Sequence, residues 1–362
     1  MRLDLGITLQ AAINSVRPAI LSRHQSFPPL FAPALARQVA ELMVASQPQL
    51  IEAGAGTGRL AADLLLALEA LGQLPERYGI LELSADLRER QATLIEKKAP
   101  HLLPRVHWLQ TLPEHFAGVV LGNELIDAMP VHLVEWHAGP DHRQIHEIGV
   151  SMNADNDGFT FEARSATGKL REVAEQIEEE MVGRGETLPK NFRSEINLAG
   201  PAWAASWGPI FSTGAVLLID YGFPAHEYYH PQRSGGTLMC HYRHHAHPDP
   251  FYLPGLQDIT AHVDFTALIS NAFPAGLELM GYTSQGQFLL NCGILDLLEQ
   301  QVHTQAEGDF GKAASVQAAQ AVNKLVLPQE MGELFKVMVM GKNLQGNSPL
   351  LGFARGDRCH QL

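Results

Sequence analysis

The chain has 362 residues, of which 46% are hydrophobic and 18% charged, enough apolar material for two domains or one large α/β domain with an insertion. A formal net charge of −13, from 26 Lys and Arg against 39 Asp and Glu, repels a phosphate backbone, so nucleic acid is not an expected partner. Cys240, Cys292 and Cys359 are widely separated with no C-x-x-C spacing, which excludes a disulfide framework and a four-thiolate zinc site.

Residues 1–47 read as a helical lead-in broken at Pro18 and around Phe27-Pro28-Pro29, where prolines forbid continued helix. The pattern changes at Pro48. QLIEAG predicts a short buried strand, residues 59–71 carry helical periodicity, and YGILEL predicts a second strand, giving a β-α-β unit. A helix follows over 85–98, then strands over 106–109, 118–121 and 131–136. Strands alternating with helices predict a mostly parallel sheet. Between about 138 and 212 the rhythm stops, in a polar stretch that includes NADNDG and the acidic helix REVAEQIEEEM; this is an inserted cap, expected on the substrate side. The run VLLID from Val216 resumes a buried strand. Beyond a His-rich loop at 240–250, helices are expected over 258–272, 285–301 and 313–325, and strands over 277–280 and 335–340. The α/β core with its C-terminal additions is thus assigned to 48–137 and 213–362. No apolar run approaches the ~18 residues of a membrane-spanning helix. The N-terminus has Asp4 early and no continuous apolar run, unlike a signal peptide or an organelle presequence, so the expected location is the cytoplasm.

The chemistry concentrates at the ends of the predicted strands. Glu52-Ala53-Gly54-Ala55-Gly56-Thr57-Gly58 lies between a strand and a helix, where glycines let the backbone turn tightly and approach a ligand. A dinucleotide fingerprint, G-x-G-x-x-G, requires a small residue at position 59, which is Arg59. The run E-x-G-x-G-x-G resembles instead the first motif of class I methyltransferases, and that resemblance assigns Glu52 to the amino-acid end of S-adenosylmethionine, with Gly54, Gly56 and Gly58 beside it. Glu82, ending the second strand, suits the hydroxyls of a ribose. Asn123, Glu124 and Asp127 follow the strand GVVL, and Asp220 follows VLLI, so all four reach the carboxyl edge of the sheet, where open α/β sheets bind ligands. A helix cap by Asn123 and a solvated Asp127 are the plainer reading of the first cluster.

Over most of its length the chain resembles the MidA family, whose mitochondrial members are arginine methyltransferases needed for respiratory complex I assembly. The segments that carry the resemblance are EAGAGTG (52–58), ILELSADLRERQ (80–91), GNELIDAMPVHLVEW (122–136), LLIDYGF (217–223), GGTLMCHYRHHAHPDPF (235–251), PGLQDITAHVDFTAL (254–268) and MGELFKVM (331–338). The chain departs from the family upstream, where members carry a longer Tyr- and Gly-rich segment before a G-D-F-x-T-S-P-E-like stretch; residues 20–35, ILSRHQSFPPLFAPAL, match only its end. The resemblance implies a Rossmann-like class I methyltransferase sheet with an inserted region and additional terminal helices. It implies S-adenosylmethionine as cofactor, Asn123 on the cofactor side, and Glu124, Asp127 and Asp220 as catalytic. It also implies a protein partner with an accessible arginine; a homodimer is left open.

Three further clusters invite readings. His241, His244, His245 and His247 with Cys240 and Asp249 are metal-ligand types, but adjacent histidines do not converge easily on one ion, and no metal is expected. His262 and Asp264 stand two apart at a helix start, where capping or a core role competes with catalysis. The acidic stretch 172–180 reads as a solvated face or as a dock for a basic segment. No phosphate-binding G-x-x-x-x-G-K-S/T loop and no G-x-S-x-G elbow occurs. The alternatives to a protein arginine methyltransferase are a small-molecule methyltransferase, a nicotinamide enzyme on the same sheet, or a non-catalytic assembly protein retaining the pocket.

Overall fold

The larger sheet has eight strands, seven of them in one continuous path and mostly near-continuous buried runs, in a computed structural model that describes residues 29–137, 143–242, 245–305, 309–346 and 349–362. The seven are β1 Gln49–Ala53, β2 Arg77–Leu81, β3 Val106–Leu109, β4 Phe116–Asn123, β5 Phe211–Phe223, β6 Glu278–Ser284 and β7 Phe335–Lys342. Across the sheet the order is β6-β7-β5-β4-β1-β2-β3. The run from β3 to β5 is parallel, and β7 is antiparallel to both of its neighbours. The central strands are buried on both faces, as parallel strands flanked by helices must be: Val119, Val120 and Leu121 on β4 and Ala215 to Ile219 on β5 are nearly inaccessible. The order reverses direction at β1 and β4, the place where a doubly wound sheet opens a crevice.

Helices Phe31–Ala45 and Arg59–Ala70 bury apolar stripes, Leu35, Val39 and Leu42 in the first and Leu60, Leu64 and Leu68 in the second, in the same core as β1, β4 and β7. Among the described residues no helix is long and apolar enough to cross a membrane. The expected helix breaks at Pro18 and Phe27-Pro28 lie outside the described residues, as does His244.

Two compact units divide the chain. One comprises the described residues through Leu125, Ala204–Gly222 and Ile269–Leu362; the other comprises Ile126–Trp203 and Phe223–Leu268. The second unit thus takes 126–203 and 223–268 where the strand-helix rhythm suggests an insertion of 138–212. It contains a four-stranded antiparallel sheet, in the order Phe159–Ser165, Gln144–Met152, His132–His137, Asn191–Ile196. The strand expected at 131–136 therefore lies not in the parallel sheet but at the middle of this one, paired on both sides. Helix Gly168–Gly183 buries Leu170, Ala174, Ile177 and Met181 against Trp136 and Phe192, and the Trp136 indole donates to the Ala174 carbonyl at 3.1 Å. The acidic residues of that helix occupy its exposed face.

Two other expectations are corrected. The segment 258–272 is helical only from Phe265; Asp258–Thr260 and Val263–Asp264 are strands, because β-branched Ile259, Thr260 and Val263 favour extended backbone and Asp264 caps the helix by accepting from the Ala267 N–H at 3.1 Å. The helix expected over 285–301 breaks at Gly293, in left-handed backbone at φ +75°, and restarts at Ile294. Within the second unit Glu195 is buried at 1% exposure. It accepts from the Thr237 N–H at 2.9 Å, the Thr237 hydroxyl at 2.9 Å, the Leu238 N–H at 3.1 Å and the Tyr228 hydroxyl at 3.4 Å. One carboxylate thereby fixes the GGTL segment.

Candidate active site

The glycine loop follows β1 and opens helix Arg59–Ala70. Gly54, Gly56 and Gly58 all adopt left-handed backbone, at φ +72°, +52° and +79°, which L side chains rarely enter. Their surroundings separate their roles. A Cβ on Gly54 would stand 3.0 Å from Leu125 and one on Gly58 3.0 Å from Gln91, whereas one on Gly56 meets nothing within 4 Å. Gly54 and Gly58 are small because the protein packs against them; open space stands over Gly56. The helix beyond starts at Gly58 with no side-chain cap, so its first N–H groups are left for an anion or a dipole.

Glu82 follows β2. Its Oε1 accepts from the Ser84 N–H at 2.9 Å and its Oε2 from the Gln91 side-chain amide at 3.3 Å. The same Gln91 nitrogen donates to the Gly56 carbonyl at 2.9 Å, and the Trp108 indole donates to the Gln91 oxygen at 2.9 Å. Ser84 caps helix Ala85–Lys98 by accepting from Leu87. Between Glu82 and Ser84, Leu83 stands 77% exposed, an apolar side chain held out at the mouth of the strand by the polar residues on either side.

Glu52, near the end of β1, is 2% exposed, and among the described residues its carboxylate receives one hydrogen bond, from the Tyr78 hydroxyl at 2.7 Å. Burial pushes the Glu52 carboxyl up to about 7, against the lowering effect of the Tyr78 hydrogen bond. Burial likewise drives the Tyr78 phenol well above its ordinary range, with the Glu52 charge adding to the shift. Tyr78 is therefore a permanent donor, and Glu52 is a buried acid that gains from a second, cationic partner.

At the carboxyl end of β4, Asn123 is half-buried and still in strand register with Ile219 of β5. The next residue, Glu124, is in left-handed backbone at φ +48°, and its N–H donates to the Ile219 carbonyl at 2.8 Å. A non-glycine residue held in that region costs on the order of 1–2 kcal/mol and persists only where neighbouring structure fixes it. Asp220 is 1% exposed; its carboxylate accepts from the Tyr221 N–H at 3.0 Å, and it stands opposite Lys336 of β7, itself 3% exposed. All of Glu52, Gly54, Gly56, Gly58, Glu82, Asn123, Glu124 and Asp220 thus belong to the sheet unit. Asp127 belongs to the other unit, is 2% exposed, and accepts at its backbone carbonyl from Ala261; it is not the solvated loop residue of the plainer reading.

The His-rich segment forms two short antiparallel strands, Met239–Tyr242 and His245–His247. Among the described residues no group of three or more His, Cys, Asp or Glu could hold a metal ion. Cys240 is buried there, its thiol pushed up to about 12. Asp264 is a helix cap, and the His262 N–H donates to the Thr237 hydroxyl at 3.0 Å.

Tyr78, Gln91, Trp108 and Glu195 escaped the sequence reading. Gln91 alone left a signal: it interrupts the i, i+4, i+8 stripe of Leu87 and Ile95 on the buried face of its helix.

Residues 34–283 match the model of a family of S-adenosyl-L-methionine-dependent methyltransferases. A superfamily protein of Burkholderia thailandensis, 44% identical, superposes with a TM-score of 0.86 over 98% of this chain and 92% of that one. A second structure from that organism, 42% identical with a TM-score of 0.85 over the same shares, was solved bound to S-adenosyl-homocysteine. The mouse protein arginine methyltransferase NDUFAF7, mitochondrial, is 30% identical over 79% of this chain and 65% of its own length. Its Caenorhabditis elegans homologue is 24% identical over 68% and 58%. The chain spans about three-fifths of the length of these two relatives. It belongs to the MidA-like family of S-adenosylmethionine-dependent methyltransferases, with the class I sheet and with S-adenosylmethionine as cofactor.

Proposed function

We propose that this member of the family transfers a methyl group from S-adenosylmethionine to a side-chain nitrogen of an arginine on a partner protein. The residues fit the cofactor: open space over Gly56, an uncapped helix start, and acids at two adjacent strand ends. The backbone of Gly54 to Gly58 would take its polar tail, Glu52 the ammonium end, Glu82 the ribose hydroxyls, and Leu83 an edge or face of the base. Asn123 joins this side of the crevice. When bound, the cofactor supplies an electrophilic methyl on a sulfonium, and the protein's task is alignment and exclusion of water.

The acceptor side rests on Glu124. Its left-handed backbone, anchored to β5 directly before Asp220, is strain kept at the carboxyl edge of the sheet, where such strain accompanies function. A guanidinium stays protonated at pKa above ~12, so carboxylates must hold it, draw its charge to one side and accept a proton as the new bond forms. Glu124 takes that role, and Asp127 is a second candidate for it. Asp220, opposite the buried Lys336, orients rather than exchanges protons. The arginine acceptor is supported by the names of the relatives at 24 and 30% identity.

Losing one charge-assisted hydrogen bond to the acceptor is worth about 1.5–3 kcal/mol, roughly 10- to 150-fold in rate. Glu124→Gln and Asp127→Asn should each retain S-adenosylmethionine affinity and lower single-turnover methylation by at least that factor, read by mass spectrometry of arginine on protein substrates. Full turnover in both variants removes these residues from the mechanism; a melting-temperature loss in Asp127→Asn with turnover per folded molecule preserved makes Asp127 structural.

A further inference from the structure

Gln91 is fully buried, and an amide in that position is stable only if its donors and acceptor are all engaged. Its three partners admit a single orientation. The Trp108 indole nitrogen can only donate, while the Gly56 carbonyl and a carboxylate at Glu82 can only accept, so the oxygen of the amide must face Trp108 and its nitrogen must face the other two. Both carboxylate oxygens of Glu82 are then engaged within the protein, one by the Gln91 amide and one by the Ser84 N–H. The glycine loop is tied to the same amide through Gly56, and Gly58 has no side chain where a Cβ would press against Gln91. One side chain thus links the loop after β1, the acid after β2 and the indole at β3.

We propose that Gln91 is a positioning residue that presents Glu82 to the ribose hydroxyls of the cofactor and sets the distance between Glu82 and the glycine loop. The proposal rests on the reading of Glu82 as the ribose acceptor. A buried amide of this kind works as an outer hydrogen-bond partner does in metal sites: it removes the freedom of the residue that touches the ligand. Its signature is selectivity for the hydroxyls, which a role confined to packing does not produce.

The test is calorimetric affinity for S-adenosylhomocysteine and for its 2′-deoxyribose analogue, measured on the full chain. The wild type should prefer the parent ligand by about tenfold or more, the worth of a hydrogen bond to a carboxylate. Q91M, close in size but without the amide, should reduce that preference to less than about threefold, and E82Q should reduce it as well. Equal weakening of both ligands in Q91M, with the preference kept while E82Q loses it, overturns the role of Gln91 alone. A wild type or an E82Q protein that breaks the expected pattern removes the assignment of Glu82 and the proposal with it. If Q91M does not fold, W108F carries the test, because it removes only the donor that fixes the amide's orientation: a reduced preference supports the proposal and an unchanged one overturns it.

Discussion

Each unit of the molecule buries a glutamate beside a tyrosine, and the two are provisioned in opposite ways. Glu195 of the inserted unit accepts from two backbone N–H groups, the Thr237 hydroxyl and Tyr228. Glu52 of the sheet unit accepts from Tyr78. Burial raises both carboxyls above the ordinary range, yet Glu195 already has what a buried anion needs, whereas Glu52 has one donor and is placed beside the glycine loop. Degree of satisfaction separates the two acids, and under the proposed function Glu52 is the one that waits for a ligand.

The largest effect expected from this comparison is on stability in the inserted unit. Glu195→Ala leaves buried donors at Thr237, Leu238 and Tyr228 without their acceptor, and each such loss costs about 1–3 kcal/mol. The expected outcome is a drop of at least ~3 kcal/mol in unfolding free energy by urea titration, with the GGTL segment losing hydrogen-exchange protection first. Glu52→Gln should leave stability near neutral pH unchanged or raised, because it removes a buried acid with a single partner, and should lose cofactor affinity instead. Comparable stability losses in both variants break the distinction.

Glycines extend the comparison at a smaller scale. Gly56 and Gly185 lie in different units, both in left-handed backbone, at φ +52° and +76°, and a Cβ on either meets nothing within 4 Å. Valine at each position should therefore pay the same conformational penalty, about 1–2 kcal/mol or somewhat more for a β-branched residue. Only Gly56→Val places its side chain in space that the reading reserves for the cofactor, so only it should lose S-adenosylhomocysteine affinity, by at least ~100-fold, the equivalent of about 2.7 kcal/mol. Equal affinity in the two folded variants removes Gly56 from the pocket.

How much of this was legible in the sequence follows from the range of the interactions. The glycine run, Glu82 and the acid at Asp220 were readable because strand ends and helix starts are local patterns. The strand at His132–His137 was visible as a strand, but its partners, Gln144–Met152 and Asn191–Ile196, include residues more than sixty positions away, as with His132 opposite Ile196, so its membership in a second sheet was not. The Asp258–Ala272 stretch shows a local competition: the periodicity fits a helix, while Ile259, Thr260 and Val263 favour strand and the Asp264 cap decides where the helix starts. Tyr78 and Trp108 read as ordinary strand residues until the fold sets them against Glu52 and Gln91. Left-handed backbone at Glu124 has no sequence signal, since any residue type other than glycine predicts the opposite.

The smallest expected effect is a pH dependence that differs between the units. Glu52 rises from 4.5 to about 7 and Asp264 from 3.8 to about 6, burial being the main cause in each; Asp264 is opposed by hydrogen bonds from Ala267, Thr266 and Tyr229 and pushed further up by the charge of Glu180. Below its unfolded value each carboxyl is protonated in both states and contributes nothing to the slope. Above it the unfolded chain gives up the proton while the folded chain keeps it, so folding stability falls as pH rises, until the folded group also ionises. For Glu52 the window is from about 4.5 to 7, and between pH 5 and 7 the fall is on the order of 2 kcal/mol. Asp264 acts in a lower window, from about 3.8 to 6. Urea titrations at intervals from pH 4 to 8 should show Glu52→Gln flattening the upper window and Asp264→Asn the lower, each relative to wild type. Tyr78→Phe, which removes the donor that lowers the Glu52 value, should extend the upper window to higher pH while leaving its lower bound in place. Saturating S-adenosylhomocysteine carries an ammonium that favours ionised Glu52, so it should flatten the upper window in wild type and leave the lower one as it was. A ligand that flattens both windows equally, or neither, would place its cationic end away from Glu52 and end the assignment of that acid to the cofactor.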